Sequence, residues 1–125
     1  MDAHEIGQAV GEQGFKEMVA AFYRRVKTDD VIGPMYPEDD WQGSEERLSD
    51  FLIFRFGLSD RYIENRGHPR LRMRHAPFAI GVAQRDRWLQ LMQEAMEETN
   101  VPPDPAEHLH AFFGNVADFM RNQAE

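Results

Sequence analysis

Residues 66 to 78 carry the densest chemistry in the chain: Arg66-Gly67-His68-Pro69-Arg70-Leu71-Arg72-Met73-Arg74-His75-Ala76-Pro77-Phe78. Guanidinium groups bind carboxylates or phosphates through paired N–H donors, and a neutral imidazole is a ready metal ligand. Pro69 suits the first turn of a helix, while Pro77 disfavours helical geometry at Ala76. About two helical turns fit between them. Leu71 and His75 are four apart and share a face, and Arg70 and Arg74 share the neighbouring one. The segment therefore offers one apolar contact and one imidazole in one direction, with guanidinium groups beside them.

On residues alone several chemistries remain open here. The four arginines could form a basic patch for phosphate or nucleic acid, although the patch is short and has no aromatic interleaving. His75 could be a core histidine satisfied by a backbone carbonyl. Zinc is disfavoured, because His68 and His75 are seven apart and His108 and His110 two apart, so no pair has i, i+4 ligand spacing.

The elements that must position this segment read as helices. Phe15, Met18, Val19, Phe22 and Val26 recur at i, i+3, i+4, i+7 and i+11, one stripe of an amphipathic helix. Tyr23 borders that stripe, and a short helical piece ending near Gly11 precedes it. A second helix, from about Ser44 to Phe56, aligns Leu48, Phe51, Leu52 and Arg55. A third, from about Val82 to Glu98, aligns Trp88, Leu91, Met92, Ala95 and Met96. A fourth begins at Asp104-Pro105-Ala106-Glu107, with Asp104 as expected N-cap, and aligns Leu109, Phe112, Phe113, Val116 and Met120. Alternating strand patterns are missing. The expected fold is all-α, with four substantial helices and several short ones in a single domain over residues 1–125.

Composition narrows the function further. The 125 residues are 42% hydrophobic and 29% charged, which suits a globular domain able to bury a core without staples. The chain has no cysteine, which excludes disulfide scaffolds, thiolate zinc sites, Cys-ligated iron–sulfur clusters and Cys nucleophiles. A net charge of −8 argues against nucleic acid and anionic membrane as partners. Met1-Asp2-Ala3-His4-Glu5 does not begin a signal peptide, and no apolar run approaches the roughly 20 residues that span a bilayer. A cytoplasmic protein without membrane insertion is expected.

The set Phe22-Tyr23, Met35-Tyr36-Pro37-Glu38-Asp39-Asp40, Glu45-Glu46-Arg47-Leu48, Arg66 to His75 and Arg85-Asp86-Arg87-Trp88-Leu89 closely resembles the truncated hemoglobins, specifically their second group. The match runs from about Gly7 to Met96, and the final helix fits in pattern more than in motif. The resemblance implies a two-over-two helical sandwich around a haem, an iron protoporphyrin. It implies His75 as the proximal iron ligand, with Leu71 packed under the porphyrin. Arg74, Arg47 and Tyr62 would then pair with haem propionates, which accounts for the basic run without nucleic acid. On the other side of the haem it places Tyr23, Tyr36 and Trp88, each an apolar ring with a polar tip that can donate to a bound diatomic ligand. Ser44 would leave room for that ligand or a water. Leu48 would form an apolar ceiling, backed by Phe51. The chain departs from the family pattern at two helix ends. Gly11-Glu12 stands where a Gly-Gly pair is common, and Phe56-Gly57-Leu58 where Trp-Gly-Gly is common. Trp41 has no functional account at this stage.

The resemblance implies reversible binding of O₂, and of other diatomic ligands such as CO or NO. An alternative at the same iron is redox turnover, either peroxide reduction or oxidation of nitric oxide by O₂, with an unidentified reductase as electron donor. A further alternative is a haem-free helical module that engages an acidic partner through Arg66 to Arg74. A homo-oligomer is compatible with each.

Overall fold

Asp2 starts the first helix. Its carboxylate accepts the Glu5 backbone N–H at 2.8 Å, while the Glu5 carboxylate accepts the Asp2 N–H at 3.2 Å, a reciprocal capping box. Helix α1 then runs Ala3–Val26, with a break at Gly11, where φ is 76° and ψ 162°. Glycine tolerates this positive φ without a Cβ penalty. A single glycine therefore makes the break expected near Gly11. Beyond the break, Phe15, Met18, Val19, Phe22 and Val26 are all fully buried, so the expected stripe is the core face of α1.

The computed structural model describes residues 1–60, 64, 67, 75 and 78–123. After α1 a loop leads into a single 3-10 turn, Gly33–Met35, and then to α2, Trp41–Arg55. Helix α2 begins three residues before the expected Ser44. It ends in a Schellman motif: the Gly57 N–H donates to the Phe54 carbonyl and the Leu58 N–H to the Ile53 carbonyl. Gly57 sits at φ 78°, so this glycine alone closes the helix.

Helix α3, Val82–Glu98, has the expected bounds and buries Leu91, Met92, Ala95 and Met96. It closes with a second Schellman motif around Asn100, at φ 56°. Helix α4 is Pro103–Met120. Asp104 is not its N-cap, contrary to expectation. Pro102 is extended, as a residue before proline must be, and Pro103 takes the first helical position. Asp104 instead lies in the first turn, where its charge favours the helix dipole.

Helix α1 packs against both α2 and α3, and α3 packs on α4. The result is the two-over-two sandwich. Ion pairs lace the outer seam of α1 and α3: Arg25 meets Glu98 at 2.7 Å and Glu94 at 3.5 Å, and Arg24 also meets Glu98. Among the described residues, no helix is long and apolar enough to cross a membrane.

Candidate functional site

The helices leave a cavity of about 360 Å³ between them. That lies within the roughly 300–1,000 Å³ of small-molecule and cofactor sites. Helix α2 supplies Ser44, Arg47, Leu48, Phe51 and Leu52, spaced as one helical stripe. Helix α4 supplies a second stripe of Phe112, Phe113, Val116, Ala117 and Met120, and α3 contributes Gln84, Arg85 and Trp88. Tyr23 reaches in from α1, Ile32, Met35 and Tyr36 from the loop, and His75, Phe78 and Ile80 from the segment before α3. Every expected site residue that the structure describes lines this one space. Tyr62, Leu71 and Arg74 lie outside the described residues.

The two phenols and the indole converge in one polar cluster, close enough for each phenol to be influenced by its neighbours. Burial pushes the Tyr23 phenol well above its ordinary value near 10, and Tyr36 pushes it further. Burial also raises Tyr36, and the neighbouring Trp88 and Tyr23 only partly offset this. Both hydroxyls therefore keep their protons, and remain donors, throughout the neutral range.

Aromatic packing fixes this trio. Tyr23 and Tyr36 meet edge to face at 5.5 Å between centroids. Phe22 holds Trp88 at 5.0 Å and Phe113 holds it at 5.4 Å. Trp41 now has a place. It stacks on Tyr36 at 5.8 Å and meets Tyr23 edge-on at 6.5 Å, behind the two phenols. Nothing in its spacing signalled this, because the first turn of α2 carries no apolar repeat.

At the rim, Arg47 donates to Asp40 at 3.1 Å and to the Ser44 hydroxyl at 3.2 Å. Ser44 is buried and is held by this arginine. The Asp40 carboxylate folds over Gly43, where a Cβ would come within 2.2 Å of it. Asp40 thereby orients a guanidinium at the mouth of an apolar cavity.

His75 is half-buried, in helical backbone. Its ring lies 6.4 Å from that of Phe78, and its carbonyl accepts the Phe78 N–H at 3.0 Å. The chemistry of the lining suits a haem. Walls of Leu, Ile, Met and Phe would suit a flat apolar ring, one imidazole would suit its iron, and a rim arginine would suit its carboxylates.

Residue reading missed one support of this wall, Asp29. Its carboxylate is 4% exposed and accepts the backbone N–H groups of Val31 and Ile32 at 3.1 and 2.9 Å, and Arg87 Nε at 2.6 Å. It ties the loop bearing Tyr36 to the helix bearing Trp88. Burial alone would raise this carboxyl, but those bonds outweigh it and hold it below its ordinary value. Loss of three such bonds in Asp29→Ala is expected to cost about 3 kcal/mol, seen as a drop in Tm of about 10 °C. The unfolded carboxyl titrates near 3.9, so the stabilisation is present above about pH 4 and is lost as pH falls through the lower folded value. Acid titration of Tm should show the gap between wild type and Asp29→Ala closing below that range. A gap constant down to pH 2 would contradict this.

Comparison with known proteins bears on the same features. A family model of bacterial-like globins matches residues 5–122. The group 2 truncated hemoglobin YjbI of Bacillus subtilis is 33% identical over 118 residues, covering 94% of this chain and 89% of that protein. The solved structure of a thermostable hemoglobin from the actinobacterium Thermobifida fusca is 42% identical, covers 100% of both chains and superposes with a TM-score of 0.90. That of the truncated oxygen-avid haemoglobin from Bacillus subtilis is 32% identical, covers 94% of this chain and 98% of its own, and gives a TM-score of 0.89.

Proposed function

This chain belongs to the bacterial-like globin family, as a group 2 truncated hemoglobin that carries haem and binds oxygen, and from that premise we propose how its own residues divide the work. His75 would hold the iron through a ring nitrogen. Arg47, with Arg74 and Tyr62, would hold the haem carboxylates at the rim. Leu48, Phe51 and Leu71 would pack on the ring and exclude water. The haem would supply an iron that takes diatomic ligands such as O₂, CO or NO.

Tyr36 is the main donor to that ligand. The observation that carries this reading is the place of Tyr36: it lines the cavity with its phenol protonated, set edge to face against Tyr23 and stacked on Trp41. Trp88 and Tyr23 line the same space as further donors, and Ser44 keeps the adjoining space small and polar. The test is an absorption series on protein supplied with haemin. Ferric, ferrous, CO and O₂ forms should show a Soret band that moves with each ligand. A colourless protein after gel filtration would contradict the proposal and favour the haem-free alternative.

The same donors would stabilise negative charge developing on a reacting ligand, which supports redox turnover as a second reading. Mixing the haem-loaded protein with peroxide or nitric oxide decides it. Rates no faster than those of free haem would leave binding alone.

A further inference from the structure

We propose that Asn122 is a positioning residue for His75, its side-chain amide clamping the backbone that leaves His75 to the end of α4. This rests on the reading of His75 as axial ligand, and the test below separates the two.

Asn122 lies two residues beyond the last residue of α4, Met120. Its Oδ1 accepts the Ile80 N–H at 2.9 Å, and its Nδ2 donates to the Phe78 carbonyl at 2.6 Å. Those two backbone partners, one donor and one acceptor, fix which way the amide faces. The Asn122 backbone N–H also donates to the Ile80 carbonyl at 2.9 Å, and the Gln123 N–H reaches the same oxygen at 3.2 Å. Residues 78 to 80 are in neither helix nor strand, and Phe78 is exposed. Such a segment opens easily unless polar contacts hold it.

The clamp leads directly to the imidazole. The Phe78 carbonyl takes the Asn122 amide, and the Phe78 N–H donates to the His75 carbonyl. One residue, Phe78, therefore stands between Asn122 and His75. Phe78 and Ile80 themselves line the cavity beside His75. The other end of the clamp is anchored as well. Arg85, in the first turn of α3, donates to Asp118 at 2.8 Å, and Arg121 donates to the same carboxylate at 3.2 Å. The tail of α4 thus acts as a fixed post, and the loop after His75 is tied to it.

Only a group that accepts and donates in one plane serves both bonds. Asn122→Asp keeps the acceptor for Ile80 and loses the donor for Phe78, whereas Asn122→Ala loses both. A control, Glu98→Gln, weakens the ion pairs of the outer α1–α3 seam, remote from the cavity. The experiment loads each variant with haem. It measures haemin transfer to excess apomyoglobin and the iron–histidine stretching band of the ferrous protein by resonance Raman.

Asn122→Ala is expected to speed haemin loss about tenfold, the scale of two lost neutral hydrogen bonds, and to shift or broaden the iron–histidine band. Asn122→Asp should fall between it and wild type, and Glu98→Gln should match wild type in both readouts. If Asn122→Ala does not fold, Asn122→Asp decides by the same two measurements. Wild-type haemin loss with an unmoved band, even alongside a lower Tm, would reduce Asn122 to a structural contact and overturn the proposal. His75→Ala run in parallel tests the other reading: an iron–histidine band that survives it would show that the ligand is a different histidine.

Discussion

Replacing His75 with alanine is expected to abolish stable haem uptake. Without it a ring would be held by packing against an apolar lining that includes Leu48, Phe51, Phe112 and Phe113, and by carboxylate contacts at the rim. Removal even of a group that merely supports a metal ligand typically costs 10–100-fold in affinity, so loss of the ligand itself should exceed about a hundredfold. Gel-filtered His75→Ala supplied with haemin should show little Soret absorbance. Added imidazole should restore part of it by filling the space vacated by the ring. Full occupancy with unchanged axial-ligand spectra would remove His75 from its role.

The second large effect is on O₂ release. Tyr36→Phe deletes the hydroxyl beside Tyr23 and Trp88 and keeps the ring stacked on Trp41. One hydrogen bond toward an acceptor bearing partial negative charge contributes roughly 1.5 kcal/mol, so dissociation should speed about tenfold. Trp88→Phe should act in the same direction. The double variant should approach about a hundredfold, less whatever the two neighbours share. Tyr23→Phe should do less, because Tyr23 is the more deeply buried of the two phenols. Stopped-flow displacement of O₂ by CO measures all four. An unchanged rate in Tyr36→Phe would transfer the role of main donor to another residue.

The helices were largely legible, and the reason is periodicity. Phe15 to Val26 repeats at helical spacing and proves to be buried along its whole length. Periodicity does not say what a stripe packs against. Phe112 and Val116 read as core, yet they line the cavity, since a prosthetic group demands the same apolar face as another helix. Trp88 shows the same ambiguity, continuing the stripe of α3 while lining the cavity with Tyr36. Helix starts were less legible. Trp41 opens α2 without an apolar repeat, and Pro102-Pro103 sets the start of α4 by backbone geometry rather than by the Asp104 cap. The proposed site roles rest on the resemblance of Arg66 to His75 and the two tyrosines to a known family, because spacing alone left phosphate binding and a core histidine open. Long-range polar ties had no signal at all. Asp29 meets Arg87 58 residues away, and Asn122 meets Phe78 44 residues away. Single polar residues in loops announce no partner until the chain is folded.

Every role proposed for these residues depends on whether the cavity between α2 and α4 holds a porphyrin ligated by the imidazole of residue 75. A crystal structure of the protein grown with haemin addresses this directly. It should show the macrocycle between those helices, a ring nitrogen of His75 bonded to its iron, and the Tyr36 hydroxyl directed at the position across the ring from His75. An electron density map with the His75 side chain turned away from the metal, or with no macrocycle in the cavity, would contradict it.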